Sequence, residues 1–184
     1  MNRTKNIVFL SGFMGSGKST IGPRLAKKLG YDFIDVDYVI EENEGITIPE
    51  IFASHGEKHF RTLEKEILTV ISRERNNIVV ALGGGTLTHK DNRELVKKDG
   101  ILIYLKAAPE EILERVEGGK IDRPMLLAAD GRKLSGKELS LRIESLLKER
   151  EEHYTEASII IETSGKSVRG TIEEITSKLK GKIL

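Results

Sequence analysis

The chain has no cysteine and no tryptophan, and only four prolines among its 184 residues. Without cysteine there can be no disulfide, no thiolate metal site and no cysteine nucleophile. No apolar run approaches the about 18 residues that a membrane-spanning helix needs. Charge of one sign is also missing: thirty Lys and Arg face twenty-nine Asp and Glu, a net +1. That balance removes the bulk-electrostatic argument for nucleic acid or an acidic membrane as partner, though not for a local basic pocket. A glycine-rich motif begins as early as Gly12, which leaves little room for a leader before it. Hydrophobic residues make up 38% and charged residues 32%, and the apolar ones recur along the whole length. These features predict a soluble, cytoplasmic chain that folds as one domain over 1–184.

Short β-rich runs alternate with helical patterns. Asn6–Leu10, Phe33–Val36, Ile78–Leu82, Ile101–Leu105 and Ser158–Ile161 read as five strands. Ser16–Leu29 reads as a helix stopped at Gly30, with Pro23 inside it. Thr47-Ile-Pro-Glu50 has capping-box spacing and predicts a helix through Ile51 to Ser54, with a longer one from Glu57 to Arg75. Pro109 starts another helix. Ser135-Gly-Lys-Glu138, a second capping box, precedes one that reaches Tyr154, and a last helix ends near Lys180. Strands interleaved with helices predict an α/β fold of three layers around a five-stranded parallel sheet. Gly118–Arg132 has the least periodicity and reads as a functional loop.

Gly12-Phe-Met-Gly15-Ser16-Gly17-Lys18-Ser19 matches G-x-x-x-x-G-K-[ST] between a predicted strand and a predicted helix. Glycines let backbone N–H groups converge on phosphate oxygens, and the helix N-terminus adds its positive end. The expected nucleotide contacts are Gly15, Ser16, Gly17, Lys18, Ser19 and Thr20. Lys18 would reach the β- and γ-phosphates of ATP, and the Ser19 hydroxyl would ligate Mg²⁺. Asp35 and Asp37 end the second strand, where ligands of open α/β sheets lie. One carboxylate can face a metal and the other a second substrate; alternatively Asp37 is a helix N-cap. Glu57, Arg61 and Glu64 share a helix face, by themselves consistent with a solvated charged surface. Gly83-Gly84-Gly85 after an apolar strand implies a sharp bend or a close approach of a ligand.

Taken together these residues resemble the shikimate kinases. The resemblance rests on the phosphate loop Gly12–Ser19, on D-x-D at Asp35 and Asp37, and on G-E-x-x-F-R-x-x-E from Gly56 to Glu64. It extends to the triple glycine, to R-P-[LM]-L from Arg123 to Leu126, and to R-x-x-x-Y at Arg150 and Tyr154. It implies the P-loop kinase fold, with a substrate-binding segment at about 36–64 and a mobile lid at about 115–132. It also implies transfer of the ATP γ-phosphoryl group to the 3-hydroxyl of shikimate, in aromatic amino-acid (chorismate) biosynthesis. Arg61, Arg150 and the Gly83, Gly84 and Gly85 backbone would then bind shikimate, with Glu64 positioning Arg61. Asp37 would orient or deprotonate the attacking hydroxyl, and Asp35 would help hold Mg²⁺ through water. Arg123 would contact the transferring phosphate, and Arg115 would stack on adenine. Gluconate kinases share the phosphate loop but are expected to lack the Phe60-Arg61 and triple-glycine context. Ala128–Gly136 is longer than the family pattern, and Ser164–Val168 departs from its adenine-loop signature.

Overall fold

The computed structural model describes residues 6–119 and 123–183. Five parallel strands form one sheet in the order β2-β3-β1-β4-β5: β1 (Ile7–Ser11), β2 (Asp32–Asp35), β3 (Ile78–Ala81), β4 (Ile101–Lys106) and β5 (Ile159–Glu162). Every residue of β1 is buried, because it lies at the centre with both faces covered. Its side chains alternate. Ile7 and Phe9 join one core beneath the helices α2 (Val36–Glu44), α3 (Ile48–Glu74), α4 (Lys90–Asp99), α5 (Pro109–Glu117) and α6 (Gly136–Tyr154). Val8 and Leu10 join the other, beneath α1 (Lys18–Leu29) and α7 (Val168–Leu179). This is the expected three-layer α/β architecture.

Several local expectations change. The two helices expected over Ile51–Ser54 and Glu57–Arg75 are both present within α3 and meet at a kink at Gly56, whose φ of 79° and ψ of 169° are not helical. The Thr47 box forms: the Thr47 N–H and hydroxyl both donate to the Glu50 carboxylate at 2.7 Å. The Ser135 box does not form. Glu138 is taken by Arg132 at 3.0 Å, and the first amide of α6, Gly136 N–H, donates to Glu117 Oε1 from α5. Helix α4 had no sequence expectation. Only Leu95 and Val96 are apolar in it, so its pattern carries no helical stripe. Pro23 lies inside α1 and the helix runs through it to Gly30, which caps it at φ 70°. Gly22 matters more there, because a Cβ on it would sit 2.3 Å from the Phe33 ring. The longer segment near Ala128 folds into a tight turn, with Ala128 N–H donating to Arg132 O at 2.9 Å. Part of the expected lid, Lys120–Asp122, lies outside the described residues. Among the described residues, no helix is long and apolar enough to cross a membrane.

Candidate active site

Parallel strands bring all their C-terminal ends to one edge, and the chain order reverses at β1. A cavity of about 760 Å³ opens there. The loops after β1, β3 and β5 contribute to its wall, along with the β2–α2 junction, α3, α5 and α6. The residues expected to hold nucleotide, metal or shikimate line it, from Gly15 through Thr20 to Asp35, Asp37, Arg61, the three glycines, Arg115, Arg123 and Arg150, as does Glu64, whereas Gly12, Glu57 and Tyr154 do not.

The loop after β1 holds its shape through backbone that side chains disfavour. Gly12, Gly15 and Gly17 have φ of 140°, 82° and 102°, and a Cβ on Gly12 would lie 2.5 Å from Leu105 O. Lys18 curls over this loop, donating to Gly12 O at 2.7 Å and Phe13 O at 3.0 Å. Burial pushes its pKa down to about 8, against the attraction of Asp37 and Asp35. Ser16 Oγ, enclosed in the same loop, has no hydrogen-bond partner among the described residues.

Asp35 ends β2 and Asp37 lies in the first turn of α2, so both carboxylates can reach the cavity. The cap of α2 is Asp35, whose Oδ1 accepts the Asp37 N–H at 3.1 Å; the alternative of Asp37 as cap is thereby replaced. Asp35 Oδ2 accepts the Ser19 hydroxyl at 2.8 Å. Asp37 is left free for other work. Its Oδ1 is enclosed and has no partner among the described residues. Burial first, then the nearby Glu64 and Asp35 charges, push its pKa up to about 7, against the pull of Lys18 and Arg61.

The face formed by Glu57, Arg61 and Glu64 is solvated only at Glu57, which is half exposed. Arg61 Nη1 donates to Glu64 Oε2 at 2.6 Å, and Nη2 and Nε donate to Glu57 Oε1 at 2.8 and 3.2 Å. Glu64 is fully buried. Arg150 is also buried but makes no ion pair among the described residues. Its Nη1 donates to Gly84 O at 3.3 Å, and its guanidinium lies 5.7 Å from the centre of the Phe13 ring.

The three glycines do three different things. A Cβ on Gly83 would lie 2.6 Å from Glu64 Oε1 and 2.8 Å from Asp37 Oδ1. One on Gly85 would lie 2.5 Å from Arg61 Nη2. One on Gly84 would meet nothing closer than 3.5 Å; what Gly84 supplies is its carbonyl, which accepts from Arg150 and from Tyr154.

A sequence model of the family described as Shikimate kinase matches residues 14–180. The chain belongs to the shikimate kinase family. It is 46% identical over 175 residues to a shikimate kinase of Chlorobaculum tepidum, covering 95% of this chain and 91% of that one. It is 43% identical over 180 residues to one of Chlorobium phaeovibrioides, covering 98% and 90%. Its fold matches a shikimate kinase of Acinetobacter baumannii, solved in complex with shikimate, with a TM-score of 0.87 at 36% identity, over 97% of this chain and 95% of that one. A gluconokinase of Sinorhizobium meliloti, at 16% identity and a TM-score of 0.54, over 98% of this chain and 99% of that one, shares the fold alone. As a shikimate kinase the chain is an ATP-using small-molecule kinase, and the reaction is the phosphorylation of shikimate by ATP.

The sequence reading of this shikimate kinase missed part of its wall. Ile48, Pro49 and Phe52 flank the Arg61 end, and Phe52 packs on Phe60 with ring centres 5.1 Å apart. Their apolar character reads equally well as core. Thr163, Lys166, Val168 and Thr171 also line the cavity, and two of them, Lys166 and Val168, lie in the Ser164–Val168 segment that departs from the family signature. That segment is held by Ser164 Oγ, which accepts the Ala108 N–H at 2.7 Å, and by Glu111, which accepts the Gly165 N–H at 2.9 Å. Arg115 donates to Gly15 O at 2.8 Å and pairs with Glu111.

Proposed function

We propose the following division of labour in this kinase, within one domain that acts as a monomer without nucleic acid or membrane as partner. Lys18 and the loop amides hold the ATP phosphates, and Arg123 neutralises the transferring group. Burial lowers the Arg123 pKa while Asp37 supports its charge, as suits a cation kept for an anionic ligand. Arg61 and Arg150 receive the shikimate carboxylate. Asp37 accepts the proton of the 3-hydroxyl as that oxygen bonds to the γ-phosphorus, the bond to the β-phosphate oxygen breaks, and ADP leaves.

The enclosed, unpartnered Asp37 Oδ1 carries this reading. A carboxylate with a pKa of about 7 is ionised often enough to accept a proton near neutral pH and basic enough to attract one. Its neighbours have fixed partners, whereas Asp37 is the group kept for a hydroxyl that only a substrate brings.

Mg²⁺ fits the residues present. Ser19 Oγ and Asp35 Oδ2 are two hard oxygen donors 2.8 Å apart beside the phosphate loop, and Mg²⁺ prefers oxygen and retains water. When bound it would neutralise phosphate charge, with Ser19 as ligand and Asp35 acting through water.

Two variants test the assignment by their different signatures. Lys18→Met should lower kcat by at least about a hundredfold with folding retained, because its amine serves the transition state. Arg61→Ala should raise the KM for shikimate by about ten- to a hundredfold and leave the KM for ATP nearly unchanged, since a charge-assisted bond contributes ~1.5–3 kcal/mol. Unchanged kcat in the first, or unchanged shikimate KM in the second, removes the corresponding role.

A further inference from the structure

The shikimate-facing arginine is held on one side by an exposed group and on the other by a buried one. Glu57, whose side chain is half exposed, holds Nε and Nη2; Glu64, with no exposure, holds Nη1. The direction of the guanidinium therefore depends on how the Glu64 carboxylate is turned. The last torsion of a glutamate is broad and has no sharp preference of its own, so its hydrogen bonds must fix it. Oε2 is taken by Arg61. Oε1 accepts from the Thr86 hydroxyl.

Thr86 is well placed to act as a fixed point. It is fully buried, in a short 3₁₀ turn just after the triple glycine. Its N–H donates to Gly83 O at 3.2 Å, and its carbonyl accepts from Asn92 Nδ2, a buried side chain of α4, at 3.1 Å. The turn is thus tied at both ends, and the hydroxyl inherits that rigidity. Its task is not trivial. Glu64 Oε1 and Asp37 Oδ1 both lie within 2.8 Å of the point a Gly83 Cβ would occupy, so two carboxylates converge on one glycine. Like charges so close push each other away. Among the described residues, the Thr86 hydroxyl is the hydrogen-bond donor to Oε1 on that side of Glu64.

We propose that Thr86 is a positioning residue for shikimate binding: its hydroxyl locks the rotation of the Glu64 carboxylate and, through it, the direction of the Arg61 guanidinium. The proposal rests on Arg61 binding the substrate carboxylate. Without the hydroxyl, Oε1 has no donor among the described residues, Glu64 turns, and the guanidinium follows Glu57 towards solvent. Substrate binding then weakens, while the phosphate loop, to which the hydrogen bonds of Thr86 do not run, is unaffected.

The test is steady-state kinetics on Thr86→Val, which keeps the shape and removes the hydroxyl, with Thr86→Ser as rescue. Thr86→Val should raise the KM for shikimate by about five- to tenfold, with the KM for ATP unchanged and kcat within about twofold. Thr86→Ser should restore the shikimate KM. With shikimate methyl ester, which lacks the negative charge, the Val variant and the parent should have equal KM values, a result that general loosening of the fold would not give. In a Glu64→Gln background, Thr86→Val should add little, because both act on one unit. If Thr86→Val does not fold, Thr86→Cys replaces it; its weaker donor should give a KM between those of Ser and parent on one side and the Arg61→Ala variant on the other. A shikimate KM unchanged in the Val or Cys variant, or a parallel rise for ATP, overturns the proposal. Arg61→Ala run alongside separates the failures. If it raises the shikimate KM and Thr86→Val does not, only the role of Thr86 falls; if neither does, the binding of the carboxylate by Arg61 falls too.

Discussion

Asp37→Asn should make the ligand-free protein more stable at neutral pH while removing its activity. The sign follows from proton linkage. The Asp37 pKa rises from an ordinary 3.8 to about 7 on folding, so between those values the folded state binds more protons than the unfolded one. Stability therefore falls as pH rises through that window, and the cost is complete above about 7. A shift of about three units at 1.36 kcal/mol each sets an upper limit of about 4 kcal/mol. That net shift already contains the attraction of Lys18 and Arg61 for the ionised carboxylate, and relaxation around the site keeps the gain below the limit. A net gain of about 1–3 kcal/mol is expected at pH 7.5, roughly 2–4 °C in Tm for each kcal/mol in a chain of this size. Lys18 contributes the opposite slope, but only from about 8 up to 10.5, where its folded pKa lies below its ordinary one. Urea unfolding followed by circular dichroism, from pH 4.5 to 7.5, therefore isolates Asp37. The stability difference between variant and parent should be smallest at the acid end, about a quarter of its full value at pH 4.5, and grow towards neutrality. The parent's kcat should fall on acidification below about 7, as the same carboxylate takes up its proton. A difference that does not change with pH, or a variant less stable at pH 7.5, refutes the claim that burial strains this carboxylate.

Two other predictions come from crowding and unpaired charge. Arg150 is buried without an ion pair among the described residues, so Arg150→Met should hold or raise Tm while increasing the shikimate KM at least about tenfold; a falling Tm with unchanged KM would contradict it. Gly85→Ala would force a methyl against the Arg61 guanidinium, costing about 1–3 kcal/mol and raising the shikimate KM, whereas Gly84→Ala should be tolerated in folding; thermal denaturation and kinetics of both distinguish this from a general need for glycine.

The layout of the sheet and the phosphate loop were legible in the sequence because strand, glycine-rich turn and helix follow one another within a short span. The two aspartates were half legible. Spacing placed them at a strand end, but only the β2–α2 junction shows that Asp35 caps the helix and frees Asp37. The glycine run signalled close approach, yet what approaches Gly83 and Gly85 is the protein's own Asp37, Glu64 and Arg61, brought in from elements far apart in the chain. Helix α4 left no apolar stripe, and Thr86 and Asn92 left no motif, since their roles depend on burial by non-local packing. Glu138 looked like a capping partner because local spacing cannot tell that Arg132 claims it.

The most direct measurement is a coupled ADP-release assay with ATP and Mg²⁺, comparing shikimate, shikimate methyl ester and gluconate. The arrangement of Arg61, Arg150 and Asp37 in one cavity predicts rapid turnover of shikimate, a KM for the ester raised at least about tenfold, and no turnover of gluconate above the background of ATP hydrolysis. Equal kcat/KM for shikimate and its ester would contradict recognition of the carboxylate by the two arginines.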